Sequence, residues 1–145
     1  MQVSAIMTKD VHAIQPNATV QNAAGLMRSF NVGSLPVLHG SKLIGIITDR
    51  DITMRITAAG LSPVQTNVAD AMTSAVRVCL DEEEVEQADK MMEQLQVRRL
   101  PVVDKDEHLV GMISLADIAE RVHDQKLVGE VLELVCEPPA EMPVN

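Results

Sequence analysis

The chain has 145 residues, a formal net charge of -9 at pH 7 and a single aromatic residue, Phe30. These properties disfavour nucleic acids and anionic membrane surfaces as partners, because such partners select for clustered basic residues and, for single strands, stacking aromatic rings. No apolar run approaches the ~20 residues that span a bilayer, and Met1 to Asp10 lacks the pattern of a signal peptide.

Cysteine usage fits a reducing compartment. Cys79 and Cys136 are far apart, match no metal-ligand spacing and have no recognisable base beside them in sequence. The histidines likewise show no metal-ligand spacing. The sequence therefore predicts a cytoplasmic protein that holds no metal and requires no cofactor, and it shows no nucleophile typical of an enzyme.

The first half of the chain predicts the element order β-α-β-β-α. A short extended piece, Val11 to Ile14, precedes the first helix, and Leu35 to Leu38 is a candidate for a buried strand. A turn at His39 to Ser41 is short enough for a hairpin, and the strand after it ends at Thr48, where a second helix begins. Apolar residues of the first helix follow the spacing i, i+3, i+4 and i+7: Val20, Ala23, Ala24 and Met27.

The second half of the chain repeats the first. A shift of 65 positions aligns Leu35-Pro36-Val37 with Leu100-Pro101-Val102, and one inserted residue near Asp106 then makes the shift 66. So long a match with one gap indicates an internal duplication. Polar positions align as well: Thr8 with Thr73, Asp51 with Asp117 and Arg55 with Arg121.

Four regions follow from this duplication. Residues 1–60 form the first repeat, 61–67 a polar connector, 68–123 the second repeat and 124–145 a helix with an acidic, proline-rich tail. Asp81 with Glu84 resembles a capping box at the start of the second repeat's first helix. Lys126 to Val135 carries apolar residues along one face, so it is expected to cover an exposed face or to meet a partner subunit.

A hydroxyl and an acid follow a glycine-bearing strand in each repeat. The segments Gly45-Ile46-Ile47-Thr48 and Gly111-Met112-Ile113-Ser114 each end on a hydroxyl, and Asp51 and Asp117 lie three residues further on. Both pairs match the capping box, in which such side chains satisfy free amides at a helix start. Their recurrence after matching strands also favours a ligand, because a carboxylate can accept both hydroxyls of a ribose and open α/β folds bind ligands at strand-to-helix junctions.

These segments, with the two Leu-Pro-Val motifs, resemble the cystathionine-β-synthase (CBS) domain, and the tandem pair resembles a Bateman module. The resemblance covers roughly residues 1 to 123, so a stand-alone CBS-pair protein is expected. It implies an α/β (α+β) fold of two pseudo-symmetric β-α-β-β-α repeats that pack sheet to sheet and leave two clefts. It also implies adenosine-containing ligands, namely AMP, ADP, ATP or S-adenosylmethionine, and assembly as a homodimer.

The resemblance assigns binding roles to individual residues. Three family positions recur in each repeat: an acid that binds the ribose, its hydroxyl partner and a strand residue that lines the base. They fall on Asp51, Thr48 and Ile46 in the first repeat and on Asp117, Ser114 and Met112 in the second.

The resemblance further implies that each cleft is completed by the segment before Leu-Pro-Val in the other repeat. Arg98 and Arg99 can hold a phosphate bidentately, although a solvated charge pair at a strand edge is the alternative. Arg50 is a further candidate, and AMP or ATP is expected to prefer the cleft of Asp51. The segments supply Val97, Arg98 and Arg99 opposite Asp51, and Val32, Gly33 and Ser34 opposite Asp117.

Two functions of different classes remain open. The first is a non-enzymatic regulatory module that senses an adenosine-containing ligand and passes its occupancy to an unidentified protein target. The second is a structural or interaction protein with empty clefts, in which both acids serve as helix caps. An enzyme is the least supported class, because the sequence shows no acid-base pair, metal set or nucleophile.

Overall fold

The structure is a computed structural model, and it describes residues 1–121, 129 and 133. The helix predicted at Lys126 to Val135 therefore lies outside the described residues, apart from 129 and 133, and so does the tail. Contacts divide the chain into two compact units, named here after their candidate acids. The Asp51 unit comprises His12–Arg77 and Glu107–Leu109, and the Asp117 unit comprises Met1–Val11, Val78–Asp106 and the described residues from Val110 onwards.

The Asp51 unit contains one long helix, one β-hairpin and three short helical segments that follow the hairpin. Strands β1 and β2 are antiparallel, with His39 opposite Lys42, so the hairpin turns on two residues. Gly40 in that turn has a φ of 67°, which glycine adopts without steric cost. The bounds are α1 Val20–Phe30, β1 Ser34–His39, β2 Lys42–Thr48, α2 Asp49–Asp51, a π-helical stretch Ile52–Thr57 and α3 Val68–Ala71.

Helix α1 forms where the apolar spacing predicts it. The Thr19 Oγ1 atom accepts a hydrogen bond from the Asn22 amide at 3.1 Å, which satisfies one free donor at the helix start. Val20, Ala23 and Met27 are buried. Ala24, the fourth apolar residue of this spacing, is exposed and lies at the edge of the buried stripe.

The Asp117 unit repeats these elements around a three-stranded sheet of order β3-β4-β5, in which β3 runs parallel to β4. Both long helices end in the same way: Asn31 and Gln96 adopt left-handed backbone conformations, and the next residue's amide bonds back to a methionine carbonyl. The bounds are a 3₁₀ turn Val3–Ala5, β3 Cys79–Leu80, α4 Val85–Leu95, β4 Arg99–Val103, β5 Leu109–Ser114 and α5 Leu115–Arg121.

The capping box predicted from Asp81 and Glu84 is wrong. Glu84 is itself the N-cap of α4, and its amide donates to Gln87 Oε1 at 3.0 Å. Asp81 instead follows β3, where its amide donates to the Val103 carbonyl at 3.1 Å. Strand β3 is two residues long, and a turn separates it from α4.

Each unit contains a lead segment, defined as residues 3–8 or the aligned residues 68–73. Residues 68–73 supply Val68 and Ala71 to the core of the Asp51 unit. Residues 3–8 supply Val3, Ile6 and Met7 to the core of the Asp117 unit, which holds the strands and helices of the second repeat. Each core is thus completed by the lead segment that comes before the other repeat in sequence.

The lead segments pair with the glycine-bearing strands through their backbones. Thr73 and Ile46 exchange two hydrogen bonds of 2.8 and 2.9 Å, and Thr8 and Met112 exchange two of the same lengths. A Cβ atom at Gly45 would lie 2.7 Å from Met72 Sδ and 2.9 Å from the Thr73 carbonyl oxygen. The chain therefore needs glycine at position 45. A Cβ atom at Gly111 would likewise lie 2.7 Å from Met7 Sδ and 2.8 Å from the Thr8 carbonyl oxygen.

We predict that Gly45→Ala lowers the free energy of unfolding by about 1–3 kcal/mol, because the added methyl group overlaps backbone that cannot move without breaking the pairing. Urea unfolding followed by circular dichroism measures the change. Gly25→Ala is the control: its Cβ would meet nothing within 4 Å, and alanine inside a helix stabilises by about 0.5–1 kcal/mol. Equal unfolding free energies for wild type and Gly45→Ala would contradict the packing described here.

Candidate functional site

The junction of β2 and α2 holds the first predicted hydroxyl-acid pair. The Thr48 amide donates to Asp51 Oδ2, and the Asp51 amide donates to Thr48 Oγ1, each at 3.0 Å. These two bonds form the capping box that the sequence predicts. The Asp51 side chain is 12% exposed, so the cap fixes its carboxylate at a partly buried position.

The junction of β5 and α5 repeats this arrangement. The Ser114 amide donates to Asp117 Oδ2 at 2.9 Å, and the Asp117 amide donates to Ser114 Oγ at 3.1 Å. The Ser114 hydroxyl also donates to Asp117 Oδ2 at 2.9 Å. The two repeats therefore hold their acids by the same backbone bonds, as their sequence match predicts.

Capping does not use up either carboxylate. An ionised carboxylate offers about four acceptor positions on two oxygens. The capping bonds of both acids go to Oδ2, which leaves acceptor capacity on Oδ1. A helix-capping role and a ribose-binding role are thus compatible in one side chain.

In the Asp51 unit, the end of α1 leads directly to this junction. The Asp49 amide donates to the Gly33 carbonyl at 2.9 Å, and a Cβ atom at Gly33 would lie 3.1 Å from Asp49 Oδ2. Val32, just before Gly33, is half-buried, whereas Arg50 is exposed. Val32, Gly33, Ile46, Thr48 and Arg50 therefore belong to the same unit as Asp51.

In the Asp117 unit, the equivalent backbone bond runs from the Leu115 amide to the Arg98 carbonyl at 3.0 Å. Leu115 is 2% exposed, whereas its counterpart Asp49 is exposed. The two junctions thus differ in charge at this position. The candidate residues that share this unit with Asp117 are Val97, Arg98, Arg99, Met112 and Ser114.

The predicted pairing of each acid with residues of the other repeat remains a prediction. Arg98 and Arg99 belong to the Asp117 unit, and Gly33 and Ser34 belong to the Asp51 unit. The predicted clefts would thus combine residues of different units, and this prediction is supported by the family resemblance alone.

Two residues beside Asp51 were not predicted as site residues. The Thr73 hydroxyl donates to Asp51 Oδ1 at 3.3 Å, and Arg55 Nε lies 3.9 Å from the same oxygen. The Arg55 Nη1 atom also donates to the carbonyls of Ala71 and Met72. The duplication carried a signal for both residues, because Thr73 aligns with Thr8 and Arg55 with Arg121.

Cys79 has the environment of a packing residue. It is 1% exposed, and burial first and the Glu83 carboxylate second raise the pKa of its thiol to about 12. The thiolate is the nucleophilic form of cysteine, and this environment disfavours it. Cys79 therefore packs as part of the core of the Asp117 unit.

The longest helices of the described part of the chain, α1 and α4, have 11 residues each. Within that part, none of the helices has the length and apolar character needed to cross a bilayer.

The family model of the CBS domain matches the chain twice, over residues 3–58 and 68–124. The CBS domain-containing protein YhcV of Bacillus subtilis (strain 168) is 40% identical over 126 residues, which cover 87% of this chain and 89% of the relative. The inosine-5'-monophosphate dehydrogenase of Thermoplasma acidophilum is 34% identical over 116 residues. That match covers 80% of this chain and 22% of the dehydrogenase, so it concerns a part of that enzyme.

Three solved structures confirm the predicted mixed α/β fold. Hypoxic Response Protein I, with two coordinated zinc ions, has a TM-score of 0.77 at 31% identity and covers 84% of this chain and 99% of its own. The CBS domain pair of protein MJ0100, in complex with 5'-methylthioadenosine and S-adenosyl-L-methionine, has a TM-score of 0.72 at 26% identity. The match covers 83% of this chain and 94% of that structure. CBSX2 in complex with AMP has a TM-score of 0.71 at 27% identity, and the match covers 82% of this chain and 93% of that structure.

We predict that Cys79 is unreactive in the folded protein. In a Cys136→Ser variant, in which Cys79 is the one remaining thiol, reaction with dithiobisnitrobenzoate at pH 8 should be roughly 100-fold slower than in urea-unfolded protein. The raised pKa stabilises the folded state fully below about pH 8.5, and this contribution is lost as the pH rises toward 12. Equal rates for folded and unfolded protein would contradict the burial of the thiol.

Proposed function

The chain belongs to the CBS domain family, and we propose that it is a regulatory module that binds an adenosine-containing ligand and catalyses no reaction. The observation that carries the proposal is the Asp51 carboxylate. The cap holds this group through Oδ2 at a partly buried strand-to-helix junction. Its remaining acceptor capacity suits the two hydroxyls of a ribose, which a carboxylate can accept together.

The ligands of the structural neighbours support this class. Two neighbours are complexes with adenosine-containing molecules, one with AMP and one with 5'-methylthioadenosine and S-adenosyl-L-methionine. Such molecules share an adenine and a ribose and differ in charge at the 5' position. The candidate ligands for this chain are therefore AMP, ADP, ATP and S-adenosylmethionine, and occupancy would bias the protein toward one of its conformations.

A structural or interaction protein is the second candidate. It is favoured by the observation that Asp51 and Asp117 both satisfy helix-start amides. Under this proposal the acids need no ligand. Homodimer assembly, a protein target and a cytoplasmic location are compatible with both candidates and stay predictions.

We predict that AMP, ATP or S-adenosylmethionine gives measurable heat in isothermal titration, with a preference for the Asp51 site if the ligand is AMP or ATP. Asp51→Asn should weaken AMP binding roughly tenfold or more, because it removes charge-assisted hydrogen bonds worth about 1.5–3 kcal/mol. Asp117→Asn should have the smaller effect. The exposed Asp10→Asn is the control with the same change in charge.

A second measurement decides between the two candidates when ligand has co-purified. The chain contains no Trp or Tyr, so a co-purified adenine would dominate the absorbance of the protein solution near 260 nm. Denaturing the protein and filtering it off would leave that adenine in the filtrate. A filtrate without this absorbance, together with no heat from any of the three ligands, would favour the structural candidate. AMP binding that is abolished by Asp117→Asn and unchanged in Asp51→Asn would reverse the site assignment.

We further predict that Arg98 and Arg99 contact the phosphate of a bound nucleotide. The double variant Arg98→Ala plus Arg99→Ala should weaken AMP binding roughly tenfold or more, since even one charged hydrogen bond contributes about 1.5–3 kcal/mol. Adenosine, which lacks the phosphate, is the matched control ligand and should lose much less affinity. Equal losses for AMP and adenosine would show that the arginines do not act on the phosphate.

A further inference from the structure

One guanidinium group joins the candidate acid to the lead segment within the Asp51 unit. Arg55 Nη1 donates to the Ala71 carbonyl at 3.2 Å and to the Met72 carbonyl at 2.7 Å. These carbonyls lie where α3 ends, and the last carbonyls of a helix have no partner within the helix. Arg55 Nε meanwhile lies 3.9 Å from Asp51 Oδ1. The side chain of Arg55 therefore bridges two stretches of chain that are distant in sequence.

The residue that follows these carbonyls contacts the same carboxylate. The Thr73 hydroxyl lies 3.3 Å from Asp51 Oδ1 and 3.5 Å from Oδ2. The Thr73 backbone is fixed by its two hydrogen bonds to Ile46, the candidate base-lining residue. Arg55 and Thr73 thus both contact the Asp51 carboxylate, and the backbone of Thr73 connects the lead segment to strand β2 at Ile46.

Arg55 and Thr73 contact Asp51 Oδ1, the carboxylate oxygen that the capping bond from Thr48 does not use. The capping bond from Thr48 goes to Oδ2, whereas Arg55 Nε and the shorter of the two Thr73 hydroxyl contacts are at Oδ1. A diol that uses both oxygens of Asp51 must therefore share Oδ1 with the Thr73 hydroxyl. A diol bound in this way and the lead segment would therefore both contact Oδ1.

We propose that Arg55 is a positioning residue for the ribose: it holds residues 71–73 and the Asp51 carboxylate in the orientation that accepts the two ribose hydroxyls. This inference rests on the proposed function of Asp51. It assigns Arg55 no direct contact with the ligand. It also makes the lead segment the part of the Asp51 unit that responds when a diol occupies the carboxylate.

The first experiment compares a ligand that has the diol with one that lacks it. The affinities of AMP and 2'-deoxy-AMP are measured by titration calorimetry for the wild type, Asp51→Asn, Arg55→Gln and Arg121→Gln. Wild-type protein is expected to prefer AMP, and Arg55→Gln is expected to reduce that preference roughly threefold or more, the scale of an exposed ion pair. Arg121→Gln makes the same chemical change at the aligned position of the other repeat and should leave the preference unchanged.

The outcomes separate the two levels of the proposal. If Asp51→Asn removes the preference for AMP and Arg55→Gln keeps it, the positioning role is wrong and the proposed function of Asp51 stands. If Asp51→Asn keeps the preference, the proposed role of Asp51 fails and the positioning role fails with it. A general loss of stability in Arg55→Gln would weaken both ligands equally, which overturns the inference, so the ratio of affinities is the deciding quantity.

The second experiment needs no ligand. The Thr73 amide donates to the Ile46 carbonyl at 2.8 Å, so its hydrogen exchange reports on the lead segment. Arg55→Gln should raise the exchange rate of this amide roughly tenfold while amides of β1 keep their rates, because local opening is separate from global unfolding. Unchanged exchange at Thr73 in Arg55→Gln would overturn the proposed link, even if the protein bound no nucleotide.

Discussion

The close approach of a lead-segment backbone to a glycine is the contact on which both units depend. At Gly45 and Gly111 the strand has no side chain in the way, so Thr73 and Thr8 can pair with the strand residues that follow. This pairing brings apolar residues such as Val68 and Val3 into the two cores. Because the strand leads straight into the next helix, the same contact also fixes where each acid lies.

The two acids show how one side chain can serve stability and recognition together. Backbone amides at a helix start need an acceptor whether or not a ligand is present. Asp51 and Asp117 supply it through Oδ2 and keep a second oxygen. A site built in this way is held in place before the ligand arrives, so little ordering remains for the ligand to pay for.

Much of the fold followed from the sequence because the duplication doubled every local signal. The helices α1 and α4, the hairpin after β1 and the two hydroxyl-acid caps all rest on spacings of a few residues. Arg55 and Thr73 could not be placed in the same way, because their contacts with Ala71 and Asp51 span 16 and 22 positions in sequence. The exchange of lead segments was equally hidden, since residues 3–8 and 68–73 have matching patterns and either could complete either core.

That exchange has a consequence for how a duplicated chain of this kind can arise. A single repeat, expressed alone before any gene duplication, would carry a lead segment that completes a neighbour's core and would lack the one that completes its own. Two identical copies could satisfy each other by swapping these segments, which is a low-cost route to a dimer. Fusion of the two copies into one polypeptide would then make the pairing permanent and leave the two halves free to diverge, as the difference between Asp49 and Leu115 illustrates.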